Sequence, residues 1–543
     1  MSAQADLVIC GQVVLAAHAD RFETAEAIAI SGGRVVAAGT REDVLAAGGA
    51  GARVVDVRDR AVIPGLHDFH IHLVGLARAR RDVSLDGAAD VREVAALVRE
   101  AASRARPDAW LTGRGWSEAL LAGVPLTELE EATGGRPAFF MSHDGHSGWA
   151  SATARARAGL DGRTPDPAGG RIERGLHGEP SGILRESALS IVQPIVARLQ
   201  GPALRDPLDE TLRELAGFGI TGATDAGDYT DENGTGADAD LGDSFSSLTD
   251  LGELVDGRLR LTLNIPADAI AAAAGRGLRT AARVGERHTM RFGWAKEYSD
   301  GALGSGTAAL FEPRTCGEPS SGILRVQPGE LDALFAAARP AGIGMAVHAI
   351  GDRAVAVVLD AVERAEPRLA GTPSDRIEHV QLARAVDRAR FARLGITASV
   401  QPIHAAADRD LVEACWGGRQ ADAYAFRSLA DAGALLAAGS DAPIESANPW
   451  LGIFAAVHRR FPTDQREDWR PAEALTVARA LSAYTLAPAR AIGVEDEGHL
   501  LVGARADLAV LTVDLPTLVR AEEALASVRS DLTLVDGLEV ARP

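Results

Sequence analysis

Apolar positions along this chain follow two different periods. Within residues 5–57 they alternate with polar ones in "DLVICGQVVL", "AEAIAISGGRVVAAG" and "ARVVDVRD", and Gly-containing turns separate the runs. A period of two with turn residues between runs predicts short strands. The segments "GARADLAVLTVDL" and "SDLTLVDGLEV" near the other end have the same texture. Residues 1–58 and 490–543 are therefore expected to build one small β-sandwich from both chain termini. Between them, short apolar runs alternate with stretches of helical period such as "PGELDALFAAARPAG" and "DRAVAVVLDAVERAEP". Strands are expected at 60–66, 219–225, 259–264, 290–297, 343–348, 375–380, 396–401 and 434–440. Eight strands alternating with helices predict an α/β fold, a (β/α)8 TIM-like barrel, over 59–489. The spacing is regular except between 66 and 219, so 80–205 is read as an insertion after the first barrel strand. The acidic, Gly-rich stretch 227–247 reads as a loop or a lid.

Composition narrows the function class. The 543 residues are 46% apolar and carry a net charge of −19, with no basic stripe. Nucleic acid is not an expected partner for such a surface. No run of about 18 apolar residues occurs, so no membrane-spanning helix is expected. The start, "MSAQADLVICGQVVL", lacks the basic region and clean apolar run of a signal peptide. Cys10, Cys316 and Cys415 are too few and too scattered to suggest a disulfide framework or a thiolate metal site. A reduced, cytoplasmic location is the expectation from these features.

The chemistry concentrates at strand ends. His70 and His72 close the first strand in "VIPGLHDFHIH". Residues two apart on a strand share a face, which sets two imidazoles side by side at the barrel mouth. His348 ends "GIGMAVHAIGD", His379 lies in "DRIEHVQ", and Asp441 ends "ALLAAGSDAP". Catalytic groups of a barrel come from the C-terminal ends of several strands, as these do. Of the 56 lysines and arginines only Lys296 is a lysine, and it ends the fourth strand in "RFGWAKEYSDGALGSG". Nearby cations and burial favour its neutral amine, which can add carbon dioxide to form a carbamate and release a proton. The product is a two-oxygen anion able to bridge two metal ions. A guanidinium, always protonated, cannot do this.

These motifs, together with "WAKEYSDGALGSGTAAL", "VHAIGDRAV", "RIEHVQ", "SVQPIH", "GSDAPIES" and "SHDGHSGWASATARARAGL", resemble the amidohydrolase superfamily, in its YtcJ-like branch that includes N-substituted formamide deformylases. The resemblance runs over nearly the whole chain. It implies a binuclear centre with His70, His72 and Asp441 on one ion, His348 and His379 on the other, and carbamylated Lys296 bridging. His67, where the branch usually has an aliphatic residue, has opposite parity to His70 and His72 and is expected to face away from the metals.

Two such ions would lower the pKa of a bridging water to about 7, giving a hydroxide nucleophile, and polarise a carbonyl. Asp441 would take the water's proton and pass it to the leaving nitrogen. The expected activity is hydrolysis of an amide, N-formyl or N-acyl C–N bond in a small-molecule substrate. Zinc is the default metal for imidazole and carboxylate ligands, and Mn, Fe or Co suit the same set. Substrate contacts are expected from His146 and Trp149 in the insertion, and from Asp300 and Gln401 near strand ends. Deamination, cyclic-amide hydrolysis, a non-hydrolytic lyase or isomerase reaction, and a non-catalytic binding role stand as alternatives. A homodimer is implied by the resemblance alone.

Overall fold

A computed structural model describes residues 5–49, 51–117, 120, 126–196, 204–227, 251–252, 254–284 and 289–541. The expected loop 227–247 lies outside these apart from Gly227.

Strands from both chain ends pair in one seven-stranded sheet, in the order 538–541, 530–535, 508–514, 53–64, 7–17, 22–31, 34–39. The join is the strand Arg53–Pro64. It pairs in parallel with Leu7–Ala17 and antiparallel with Leu508–Asp514. The alternating residues Ile9, Val13, Ile28, Val62, Leu508, Val510 and Leu534 form the core of this sheet. Burial of such side chains stabilises by about 1.5–3 kcal/mol each.

The barrel follows. Its strands are β1 (Leu66–Ile71), β2 (Ile220–Asp225), β3 (Arg260–Pro266), β4 (Met290–Tyr298), β5 (Met345–Ala349), β6 (Arg376–His379), β7 (Thr397–Val400) and β8 (Leu435–Ala438). All neighbours from β1 to β8 pair in parallel. The mouth is drawn together by hydrogen bonds from Asp441 N to His70 O, 2.7 Å, and from Ser440 N to Asp68 Oδ1, 2.9 Å. The first strand corrects the pattern reading of 60–66. Residues up to Pro64 belong to the terminal sheet, and the barrel strand starts at Leu66. The apolar run is continuous in sequence, but Pro64 offers no donor and Gly65 packs on β2. A Cβ at Gly65 would lie 2.0 Å from Thr221 Oγ1. Helices cover the barrel by the expected period. Asp352–Arg364 buries Val355, Val358, Leu359 and Val362, one face of a helix. Buried ion pairs fasten the barrel to the C-terminal segment: Arg260 to Asp507 at 3.0 Å and Arg291 to Glu497 at 3.1 Å.

Inside the insertion a second sheet forms, in the order 170–174, 180–186, 147–150, 138–142, 111–116, 83–84. Trp116, Phe140 and Trp149 pack in its core, with Trp149 stacked on Phe140 at 5.7 Å between ring centroids.

Cys316 and Cys415 are joined in a disulfide across 99 residues, which corrects the expectation of scattered free thiols. The loop after β4 and the helix Arg409–Cys415 meet at the mouth. There Thr315 N donates to Cys415 O at 2.9 Å and Thr315 Oγ1 to Ala414 O at 2.8 Å. Cys10 is free and buried. Chain denatured without reductant should therefore show a single titratable thiol, rising to three after reduction. Reduction should lower the unfolding free energy by about 2–4 kcal/mol, the usual effect of a bond closing a long loop. Three thiols before reduction would contradict the pairing.

Candidate functional site

His70 and His72 leave β1 toward the mouth with ring centroids 5.6 Å apart. His72 Nε2 lies 3.0 Å and His70 Nε2 3.3 Å from Asp441 Oδ1. On its far side, His70 Nδ1 donates to Glu378 Oε2 at 2.5 Å. A carboxylate behind a histidine fixes the ring's orientation and raises its basicity toward a metal. Burial opposes charge on Glu378, but Arg376 and His70 outweigh it and hold the carboxyl well below the usual range. Asp441 is ionised on the same terms, with His70 and then His72 outweighing its burial.

Two groups of side chains are close enough to hold cations. The ligand atoms of His70, His72 and Asp441 lie within 4.8 Å of one another, as do those of His379, His404 and Asp441. His379 Nδ1 and His404 Nε2 are buried with no hydrogen-bond partner among the described residues. Burial, with the charges of His70 and Lys296, drives His379 well below the ordinary imidazole range despite Asp441, so its ring is neutral. Orphaned ring nitrogens around a shared carboxylate fit divalent cations that favour N and O donors. Backbone strain accompanies the arrangement. His379 has φ +71° and Asp441 φ +60°, each costing about 1–3 kcal/mol for a side-chain-bearing residue.

His404 joins this second group, whereas the sequence reading placed His348 there. His348 stands beside it, 4.5 Å from the His379 ring, and its Nε2 donates to Gly301 O at 3.1 Å. Its lone pair is thus on Nδ1, and burial above all holds its pKa well below the ordinary imidazole range. Lys296 reaches the same cavity from β4. Only 5% of it is exposed, and Nζ sits 4.4 Å from the Tyr298 ring centroid. His67 points elsewhere, its Nε2 bonded to Thr224 Oγ1 at 2.9 Å. Burial, then Arg291 and Arg376, push its pKa down to about 3.

The insertion supplies the roof. His146 Nδ1 donates to Glu186 Oε2 at 3.0 Å, and its ring faces His348 at 5.3 Å. Burial works against charge on His146, but Glu186 and then Asp144 outweigh it and raise its pKa. Glu186 is fixed in turn by Arg325 Nη1 at 3.2 Å and Thr307 Oγ1 at 2.5 Å. Beneath lies a cavity of about 1000 Å³, lined by His70, His72, His146, Lys296, His348 and Asp441 among others. A smaller cavity of about 190 Å³ shares His146, His379 and Asp441 and is walled by Trp116, Leu303, Ile350 and Leu411. The reactive groups thus stand between two compartments of unequal size.

Three expected substrate contacts line neither of these cavities. Trp149 is in the insertion's core, fully buried against Phe140. The Asp300 carboxylate is occupied by the backbone N–H groups of Ala309, Ile350 and Gly351 at 2.8–3.0 Å. It braces the loop after β4, and burial raises its pKa to about 7. Gln401 is buried at the start of the helix Pro402–Ala407 and lines neither cavity. Sequence reasoning missed His404, Glu378 and Glu186. His404 stands in the quoted "SVQPIH" but inside a helix, not at a strand end, and Glu378 sits beside His379 in "RIEH". Glu186 pairs with His146 across 40 residues, with no local pattern to reveal it.

His146 belongs to the roof and to neither ligand group, so His146→Ala should raise KM about tenfold or more while leaving bound metal unchanged. Loss of metal on elemental analysis of this variant would instead make His146 part of the centre.

Residues 53–541 match the profile of the amidohydrolase family. The chain is 30% identical to Protein LONG AFTER FAR-RED 3 of Arabidopsis thaliana, over 94% of this chain and 88% of that one. It is 28% identical to the N-substituted formamide deformylase of Arthrobacter pascens, over 95% and 94% of the two chains. The putative amidohydrolase YtcJ of Bacillus subtilis is also 28% identical, over 85% of each. Among solved structures, an uncharacterized metal-dependent hydrolase from Pyrococcus horikoshii superposes with a TM-score of 0.73 at 25% identity, covering 93% of this chain and 97% of that one.

Proposed function

Because the chain belongs to the amidohydrolase family, we propose that it is a divalent-metal hydrolase cleaving an amide, N-formyl or N-acyl C–N bond of a small molecule. One observation carries the reading: Asp441 is shared by two groups of histidines beneath a cavity of about 1000 Å³. His70, His72 and Asp441 would hold one ion, and His379 with His404 or His348 the second, with Lys296 as its carbamate between them. Bound there, divalent ions would lower the pKa of a water and polarise the substrate carbonyl.

The chain's own groups do the rest. Asp441, an ionised carboxylate at the centre, accepts the proton of the attacking water and returns it to the leaving nitrogen. Water oxygen joins the acyl carbon, the C–N bond breaks, and a carboxylic acid and an amine leave. His146, with Nδ1 committed to Glu186, presents Nε2–H to a substrate oxygen. Glu378 holds the His70 ring in place.

The test is a panel of N-formyl and N-acyl amines assayed for amine, carboxylate and ammonia. Equimolar amine and carboxylate is the expected result. Ammonia without carboxylate would make the enzyme a deaminase, and conversion without water uptake a lyase or isomerase. Protein purified without chelator should hold about two divalent equivalents per chain, and stripping them should abolish turnover until metal is restored. Full activity in metal-free protein would sink the mechanism.

A further inference from the structure

The large cavity contains a cation that neither the ion-ligating groups nor the roof pair employs. Arg114 lies on the insertion strand Leu111–Trp116 and lines the cavity with His72 and Asp441. The strand is built around it. Its ladder with Ala138–Ser142 slips register between Arg114 and Trp116, at Gly115, whose φ is +104°. Bulges of this kind re-aim a neighbouring side chain and recur beside active sites. Neither flanking glycine can be replaced freely. A Cβ at Gly113 would lie 2.6 Å from Val83 O, and one at Gly115 would lie 2.4 Å from Asp86 Oδ1.

Two other arginines of this cavity have carboxylate partners, and Arg106 at its rim is exposed to solvent. Arg81 bonds Glu210 at 3.2 Å and Arg325 bonds Glu186 at 3.2 Å. The Arg114 guanidinium makes no hydrogen bond or ion pair with the described residues, although it is half-buried. Burial pulls its pKa down, and the charges of Asp86, Asp82, Asp441 and Glu445 hold it up from a distance. Those acids are committed elsewhere. Asp82 accepts from Thr112 Oγ1 at 2.6 Å, and Asp441 faces His70 and His72. Asp86 and Glu445 flank His143, at 3.1 and 3.3 Å. Hydrogen bonds from those two carboxylates raise the His143 pKa to about 10, so the trio carries a cation of its own. A guanidinium keeps its charge and presents a planar fork that matches a carboxylate. Left without a partner and partly withdrawn from water, it is a binding group waiting for an anion.

We infer that Arg114 recognises a carboxylate on the substrate, in the part of the molecule that occupies the large cavity. This rests on the hydrolase reading of the site, and it narrows the substrate class to N-acyl or N-formyl amines bearing an acid group, such as N-acylated amino acids.

The test uses the metal-loaded enzyme and the N-formyl derivatives of benzylamine, 4-(aminomethyl)benzoate and phenylalanine. The first is neutral, and the others place a carboxylate at two distances from the scissile bond. Binding is measured by calorimetry and turnover by product release, for native chain, Arg114→Gln and Arg114→Lys. At least one acid probe should bind native enzyme about 30- to 100-fold tighter than the neutral probe, the scale of a charged bidentate pair. Arg114→Gln should erase that ratio, and Arg114→Lys should recover only part of it. Melting temperature and metal content report whether the variants are folded and loaded. Equal binding of all three probes by native enzyme, or an acid preference that survives in Arg114→Gln, would overturn the assignment. An Arg114-dependent binding preference without hydrolysis of any probe would uphold Arg114 and count against the hydrolase reading. Hydrolysis of all three at equal kcat/KM would do the reverse.

Discussion

Lys296→Arg should abolish turnover and remove at least one metal ion, although it keeps the charge and nearly the length of the side chain. A lysine serving only as a positive charge on the surface would tolerate this exchange at well under about 1 kcal/mol. Lys296 is not on the surface. It is 5% exposed, on a barrel strand, facing the cavity that holds His70, His348, His379 and Asp441. Arginine there would set a permanent cation against the two proposed divalent ions and could not add carbon dioxide. Lys296→Ala should also be inactive, but for want of the proposed carbamate bridge alone. The space it leaves should admit acetate or propionate, whose two oxygens replace those of the carbamate. Millimolar short carboxylates should therefore restore part of the activity of Lys296→Ala and none of that of Lys296→Arg. Activity assays with and without propionate, paired with metal analysis, check both statements. Native-like turnover in the arginine variant would mean that the chain's single lysine has no chemical role.

Asp441→Asn should lower kcat at least about a hundredfold, the usual scale for losing a general acid/base, with a smaller change in KM. Two tasks are proposed for the carboxylate. It belongs to both groups of side chains close enough to hold a cation, and it lies within 3.0–3.3 Å of His72 and His70. An amide of the same shape keeps one oxygen but has no charge and no basicity. Assays at saturating metal separate the tasks: kcat that stays low with both metal equivalents present assigns the loss to proton transfer. Near-native kcat under those conditions would remove Asp441 from the proton path. Substrate that binds through Arg114 should lose little affinity in this variant, because that contact lies on the insertion strand.

Periodicity carried the barrel. Seven of the eight strands lie on the apolar runs expected for them, and β5, β6 and the turn after β8 deliver His348, His379 and Asp441. The exception, β1, was placed early because an apolar run shows where burial begins and not which sheet is joined. Pro64 and Gly65 divide it between two sheets. His70 and His72 were legible because two residues on one strand share a face by covalent geometry alone. His404 was not, because helix packing after β7, and no strand parity, turns it toward Asp441 at 3.6 Å. Trp149 and Asp300 have residue types common in binding sites. Only their surroundings, a stacked Phe140 and three backbone N–H groups, reveal that packing and loop bracing occupy them.

By itself the sequence determined the alternation of strands and helices, the β-rich ends, the H-x-H pair, and a lone lysine among arginines. Each is written in local order, so hydrophobic period and residue chemistry suffice to read it. The tertiary structure alone decided what depends on partners far along the chain. It joined Cys316 to Cys415 across 99 residues, Glu186 to His146 across 40, and Glu378 to His70 across 308. It also carried the insertion over the mouth, so that Arg114 shares a cavity with Asp441. Such contacts are fixed by how separate elements pack, and a one-dimensional pattern holds no record of which distant side chains that packing will bring together.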